Sequence, residues 1–307
     1  MSGGRDSFMK ETVFRVENRP RVTVIIPTYN LGRIFRYSIE SVLLQDFSDF
    51  EVWVVGDGCT DDTEAVVRSF TDARIHWMNL PENSGTPARP RNEGLKRARG
   101  DYIAYLGHDD LWFPWHLSEL VDALKQTNCD FAWSIGVTIE PPGVAGTFTM
   151  PEKPWDGRHH LSPSNWLHRK GLTDRTGLWP SRVRHGDDRA FVRQAILHGT
   201  SMTFRSRLTA MKFPAASWRM YTLKASFPQE KYLLSMQKDP ERLRLSLLSD
   251  CAALLSRRET PPGESPYRKN LPAPVIRLFR WVIAFYGPER WPLNMLYFRI
   301  WKKRSGL

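Results

Sequence analysis

Two carboxylates stand side by side at Asp109 and Asp110, behind Gly107 and His108 and ahead of Leu111 and Trp112. Adjacent acids at the end of an apolar run suit one task in particular. They can hold a hard divalent cation against a diphosphate, whose departing charge the ion stabilises as a Lewis acid. Two other polar groups follow apolar runs in the same way. Tyr29, after Pro27 and Thr28, offers an aromatic face to a nucleobase, and Asp57, between Gly56 and Gly58, offers acceptors to a base or ribose. A second acid pair, Asp187 and Asp188, lies farther along. Carboxylates this close repel when both are ionised, so a raised pKa on one would suit it to take a proton from a hydroxyl near neutral pH. Each of these residues also has a plainer reading, the acids as helix caps or turn residues and Tyr29 as core packing.

The elements that must position these groups alternate between strand and helix. Val22, Val24, Ile25 and Ile26 form a β-branched run closed by Pro27, as expected of a strand buried on both faces. Phe35, Ile39, Val42 and Leu43 recur at helical spacing, and residues 52–55 make a second strand. Asp61 with Glu64 reads as a capping box. Residues 74–78 are predicted as a third strand, 92–98 as a short helix stopped by Gly100, and 101–106 as a fourth strand. Pro114 opens a helix with Leu117, Leu120, Val121 and Leu124 on one face, and residues 131–139 supply a fifth strand. This predicts an α/β fold with a mostly parallel central sheet flanked by helices, in which groups placed after the strands gather along one edge.

Five motifs fall in a recognisable order. They are Val24-Ile-Ile-Pro-Thr-Tyr-Asn30, Gly56-Asp-Gly-Cys-Thr-Asp-Asp-Thr63, Asn83-Ser-Gly85, Arg91-Asn-Glu-Gly-Leu95 and Leu106-Gly-His-Asp-Asp-Leu-Trp112. Over residues 20–200 the chain resembles the family 2 glycosyltransferases of GT-A fold, the nucleotide-diphospho-sugar transferase fold. The resemblance implies a nucleotide-sugar donor, a UDP-sugar first of all, a divalent cation (Mn2+ or Mg2+), and single displacement with inversion. The family's usual metal motif is Asp-x-Asp; aligning the following Asp-Leu-Trp places Gly107 at its first aspartate. That makes Asp109 the direct metal ligand, with Asp110 supporting it and His108 contributing. Pro27 and Thr28 shape the donor loop, and Arg91 and Asn92 approach the donor. Family members commonly carry two acids where this chain has Gly56-Asp57. Gly177-Leu-Trp179 and the 185–191 segment resemble the family's Gly-Gly-Trp and Glu-Asp motifs, which makes Asp188 the preferred general base and Asp187 the alternative. His168 and Arg169 fall where acceptor or pyrophosphate contacts could form.

Composition agrees with a soluble enzyme. The 307 residues carry a formal charge of +11, twelve Trp, and three isolated cysteines at positions 59, 129 and 251 that match no metal or disulfide spacing. Residues 1–20 are polar, 21–200 form the catalytic domain, 201–260 a helical C-terminal extension, and 261–307 a Pro-rich connector and basic aromatic tail. Within that tail, residues 275–307 hold seven Lys or Arg against Glu289, interleaved with Trp281, Trp291 and Trp301. This mixture suits an anionic membrane surface, and no nucleic-acid motif accompanies it. The expectation is a cytoplasmic glycosyltransferase, peripheral on the inner face of the cell membrane, acting on a glycan or lipid-linked acceptor in cell-surface or secreted glycan synthesis. A non-catalytic sugar-nucleotide binding module and a nucleotidyltransferase are the rival readings.

Overall fold

The computed structural model describes residues 19–147, 161–183, 186–222 and 227–256. Its first half repeats one unit: β1 (Val22–Thr28), α1 (Gly32–Leu43), β2 (Phe50–Gly56), α2 (Thr63–Arg68), β3 (Ile75–Asn79), α3 (Ala88–Arg97) and β4 (Tyr102–Tyr105). Every residue of β1 is buried, because Val24 and Ile26 face one apolar layer while Ile25 faces the other. Helix α1 buries Ile34, Phe35, Ile39 and Val42 on its inner side. Helix α3 begins four residues earlier than its apolar spacing suggests. Pro90 is tolerated there because a first-turn N–H would have no helical partner anyway.

The second half comprises β5 (Leu111–Trp112), α4 (His116–Thr127), β6 (Phe131–Glu140), β7 (Gly143–Thr147), a 3-10 turn (Pro163–Asn165), β8 (Trp166–Arg169), α5 (Gly171–Thr176) and α6 (Asp187–Leu197). It continues through β9 (Met202–Lys212), α7 (Ala215–Trp218), α8 (Gln229–Lys238) and α9 (Pro240–Ser256). The strands join one sheet in the order β3-β2-β1-β4-β8-β6-β9-β5, with β7 on β6. Strands β1 to β4 are parallel, as expected, with Thr28 level with Gly56 and Ile25 with Tyr105. Beyond β4 the sheet is mixed. Strand β8 runs antiparallel to β4 and to β6, so β6 regains the direction of β4, and β9 follows β6 in parallel with Thr138 opposite Lys212. The carboxyl ends of β1, β2, β4 and β9 therefore point to the same edge.

The domain boundary placed at residue 200 is corrected by β9. Residues 202–212 are a sheet strand rather than part of a helical extension, and Leu208, Ala210 and Met211 are fully buried. The helical extension proper is α8 and α9. Leu233, Met236, Leu247 and Cys251 pack there against Leu31 and Ile34 at the start of α1. The Pro-rich connector and the basic tail of residues 275–307 lie outside the described residues. Among the described residues no helix is long and apolar enough to cross a membrane.

Candidate active site

One side of the edge is formed by the loops after β1 and β2. The Asp57 amide donates to Thr28 O at 2.8 Å, locking the two loops together. Its carboxylate accepts from Ser84 N at 3.1 Å and Ser84 Oγ at 3.0 Å, which orients it toward the 83–86 turn, and burial raises its pKa. Tyr29 is half-buried. The missing acid at Gly56 has a packing cause. A Cβ there would lie 2.5 Å from Asn79 Oδ1 and 2.7 Å from Trp77 Cη2. Asn79 occupies that space because its amide bridges the Cys59 N–H and C=O, both at 2.9 Å.

The loop after β4 divides its two acids between different tasks. Asp110 is fully buried, and its oxygens are taken: Ser164 Oγ donates at 2.5 Å, Phe213 N at 3.1 Å, and Lys212 Nζ lies 3.5 Å away. The Ser38 hydroxyl lies within hydrogen-bond distance of two loop carbonyls, His108 O at 2.8 Å and Asp110 O at 2.9 Å, and the Gln229 amide donates to Asp109 O at 2.9 Å. The loop is thus fixed from α1 and α8 as well as from the sheet. Asp109 is half-buried and takes no such set of partners. Burial, then the charge of Asp110, pushes its carboxyl up to about 7.

His108 contributes by position. Its Nδ1 meets Thr28 Oγ1 at 3.2 Å and accepts from Tyr29 N at 3.4 Å, and its Nε2 meets Tyr221 OH at 3.3 Å. Burial lowers its pKa to about 4, so the ring is neutral and ties the β1 loop to Tyr221. Gly107 is tight: a Cβ there would lie 2.7 Å from Asp110 Oδ2.

Another part of the candidate site is assembled from α3 and α6. Arg91 Nη1 pairs with Asp187 Oδ2 at 2.6 Å, and the guanidinium stacks 4.2 Å over the Trp179 ring. Arg91 Nε is buried with no partner among the described residues. Asn92 does not face the edge with Arg91. Its amide donates to Trp179 O and accepts from Trp179 N, both at 2.9 Å, so it clamps the Gly177–Pro180 loop. Asp187 and Asp188 lie in the first turn of α6, where the helix dipole favours acids. Asp187 is raised by burial despite the opposing pull of Arg91. His185 falls outside the described residues.

Two expectations fail on strand direction. His168 is buried in β8 against Tyr105, whose hydroxyl it meets at 3.0 Å, and burial lowers its pKa to about 4. Arg169 pairs with Tyr102 at the amino end of β4 and donates to Cys129 O, at the opposite edge of the sheet. Neither lies at the edge formed by the carboxyl ends of β1, β2 and β4. Sequence reasoning missed Lys212, Ser164 and Tyr221. None belongs to a motif, and each reaches the edge only through the pairing of β8 and β9.

The donor set fits a divalent ion that arrives with its nucleotide. Among the described residues no three His, Cys, Asp or Glu side chains converge into a closed cage. A single carboxylate, Asp109, stands beside the cleft without a bonded cation. Magnesium-type ions are commonly held by one or two carboxylates plus substrate phosphates and water.

Residues 23–200 match the profile described as Glycosyl transferase family 2. The UDP-Glc:alpha-D-GlcNAc-diphosphoundecaprenol beta-1,3-glucosyltransferase WfgD of Escherichia coli is 33% identical over 132 residues, covering 43% of this chain and 52% of WfgD. The poly(ribitol-phosphate) beta-N-acetylglucosaminyltransferase TarS of Staphylococcus aureus is 27% identical over 195 residues, covering 61% of this chain and 34% of TarS. The chain therefore spans about half or less of these curated relatives. The fold agrees with TarS residues 1–349 in complex with UDP-GlcNAc at a TM-score of 0.57, with 24% identity over 63% of this chain and 58% of that one. It agrees with a mannosyltransferase of Pyrobaculum calidifontis, in complex with GDP-Man and Mn2+, at 0.52, with 18% identity over 94% of this chain and 86% of that one. The agreement with TarS is one of GT-A fold. With its profile match running from β1 through α6, across more than half of the sequence, the chain belongs to glycosyl transferase family 2.

Proposed function

We propose that the protein transfers a sugar from a nucleotide-diphosphate donor, a UDP-sugar, to a hydroxyl of a glycan or lipid-linked acceptor, with inversion, in the synthesis of a cell-surface or secreted glycan. The observation that carries this reading is that the loops after β1, β2 and β4 are bonded to one another at one sheet edge: Asp57 N donates to Thr28 O at 2.8 Å, and Tyr29 N to His108 Nδ1 at 3.4 Å. The relatives' names support the donor and acceptor classes, WfgD through a UDP-sugar and a diphosphoundecaprenol acceptor, and TarS through UDP-GlcNAc.

In this reading Tyr29 stacks on the base and Asp57 accepts from base or ribose, while His108 holds the loop that carries Tyr29. Asp109 holds the divalent ion, which when bound supplies Lewis-acid stabilisation of the departing diphosphate. Asp188 accepts the acceptor's hydroxyl proton as the oxygen bonds to the anomeric carbon from the face opposite the leaving group. The bond from that carbon to the diphosphate oxygen breaks, its electron pair leaving with the nucleoside diphosphate. Asp187 is committed to charge balance with Arg91, which supports assigning the base role to Asp188.

The test is a thermal-shift panel of nucleotide sugars against the full-length chain, with and without Mn2+, followed by release of nucleoside diphosphate in the presence of lipid-linked acceptors. A shift with one UDP-sugar, and acceptor-dependent UDP release, is expected. Binding without any release would favour the non-catalytic binding module, and no shift with any nucleotide sugar would end the proposal.

A further inference from the structure

Lys212 ends β9, twelve residues beyond the matched family segment, and takes no part in any motif. Strand pairing nevertheless delivers it to the edge where the loop carrying Asp109 and Asp110 lies. Its Nζ is 3.5 Å from Asp110 Oδ2, and 27% of its side chain stays exposed.

The surroundings of Asp110 show how that ammonium is held. Ser164 Oγ and Phe213 N fix the carboxylate from two directions, and Phe213 is the next residue after the lysine. Asp110 is thus a rigid anchor, spent on positioning. An ammonium has three N–H donors, and Asp110 is the one ion-pair partner it has among the described residues. The ammonium stands, part-exposed, beside the loop that carries Asp109, the proposed ligand of a diphosphate-bound ion, because its partner Asp110 is the next residue in that loop. A fixed cation beside such a site has one fitting ligand class, a phosphate oxygen.

We propose that Lys212 binds the diphosphate of the donor directly, contacting a phosphate oxygen and sharing with the Asp109-held ion the neutralisation of the leaving group. The inference rests on the nucleotide-sugar reading given above. It implies that the site retains affinity for a nucleoside diphosphate when metal is removed, because part of the neutralising charge belongs to the protein itself. Lys212 is accordingly a substrate-binding residue, and Asp110, Ser164 and Phe213 N are its positioning partners.

The experiment is calorimetric titration of full-length wild type, Lys212→Met and Lys212→Arg with UDP and with uridine, each in EDTA and in Mn2+. Wild type is expected to bind UDP in EDTA more tightly than uridine. Lys212→Met should weaken UDP binding in EDTA by roughly 10- to 100-fold, the range for losing a hydrogen bond to a charged group, and leave uridine binding unchanged. Lys212→Arg should recover most of the loss. An equal loss for UDP and uridine in Lys212→Met, with Lys212→Arg no better, would mean that the lysine only neutralises Asp110, and would overturn the inference. UDP binding by Lys212→Met equal to wild type in EDTA would overturn it as well. Wild type binding neither UDP nor uridine would instead remove the nucleotide-sugar reading beneath it, and the inference with it.

Discussion

Arg91 and Asp187 meet at 2.6 Å although 96 residues separate them, and both side chains are almost wholly buried. The pair commits one of two adjacent acids to holding α3 against α6. Asp187→Asn leaves a buried guanidinium unpaired and is expected to cost ~3–5 kcal/mol, read as a lowered melting temperature. Asp188→Asn is expected to slow transfer by ~10²–10⁴ with donor affinity nearly unchanged, measured by single-turnover kinetics. If Asp187→Asn, at a temperature where it is folded, loses more transfer than Asp188→Asn, the two roles exchange.

Asp109 makes stability depend on pH in a defined direction. Its carboxyl sits at about 7 in the folded chain against an ordinary value of 3.8. The folded value is the higher one, so between those limits the folded chain binds the extra proton and stability falls as pH rises. A divalent ion needs the deprotonated carboxylate and so offsets the loss at high pH. Because the buried His108 and His168 shift stability the opposite way over this range, the quantity to read is the difference from Asp109→Asn: the metal-free wild type's midpoint, taken relative to that variant's, should fall from pH 5 to pH 8, and Mn2+ with UDP should restore it at pH 8 more than at pH 5. Asp57 and Asp187 shift in the same direction, so the comparison with Asp109→Asn isolates this group. An unchanged pH profile and Mn2+ response in that variant would remove Asp109 from the site.

Restoring the family's missing acids is expected to harm the protein. At Gly107 a Cβ meets Asp110 Oδ2 at 2.7 Å, and at Gly56 it meets Asn79 Oδ1 at 2.5 Å. Gly107→Asp and Gly56→Asp should each cost ~1–3 kcal/mol from overpacking. Gly107→Asp should also weaken Mn2+-dependent UDP binding, because it displaces the anchor of Lys212. Tighter Mn2+ binding by Gly107→Asp in calorimetry would show instead that the second carboxylate fits.

The basic tail is expected to hold the enzyme at an anionic surface. Each of its seven Lys or Arg contributes ~1 kcal/mol near such a membrane, and salt screens that part of the binding. Co-sedimentation with anionic vesicles should be strong for the full chain, weak for a chain ending at Pro274, and reduced by high salt. Equal sedimentation of the two would assign attachment elsewhere.

The half of the site that follows β1, β2 and β4 was legible in the sequence. Strands buried on both faces announce themselves by β-branched runs, and groups placed after them must share an edge. Tyr29, Asp57 and Asp109 were expected at one edge on this ground, and the structure places them just after β1, β2 and β4. The other half depends on pairings between segments too short or irregular to mark themselves. Nothing local in Trp166–Arg169 reveals that β8 runs antiparallel to β4, which is why His168 was expected near the donor and lies in the core. The same pairing brings Ser164 to Asp110 and, through β6, Lys212 to the cleft. Asn92 was misplaced for a smaller reason. Arg91 and Asn92 are neighbours in sequence but 100° apart around a helix, so only one of them faces Asp187.

The insertion of β8 between β4 and β6 also governs when the site comes into being during synthesis. Strands β1 to β4 are complete by residue 105 and can pair with one another once that much of the chain has emerged. Asp110, by contrast, waits for Ser164, 54 residues later, and for Phe213, 103 residues later. Until β9 docks, the loop after β4 has its carboxylates but lacks the cation and the amide that order them. Such long-range closures come late in folding. A ribosome-bound chain that has released only its N-terminal half therefore presents nucleotide-loop sequence without a working pocket, and donor binding reports that the whole sheet has closed.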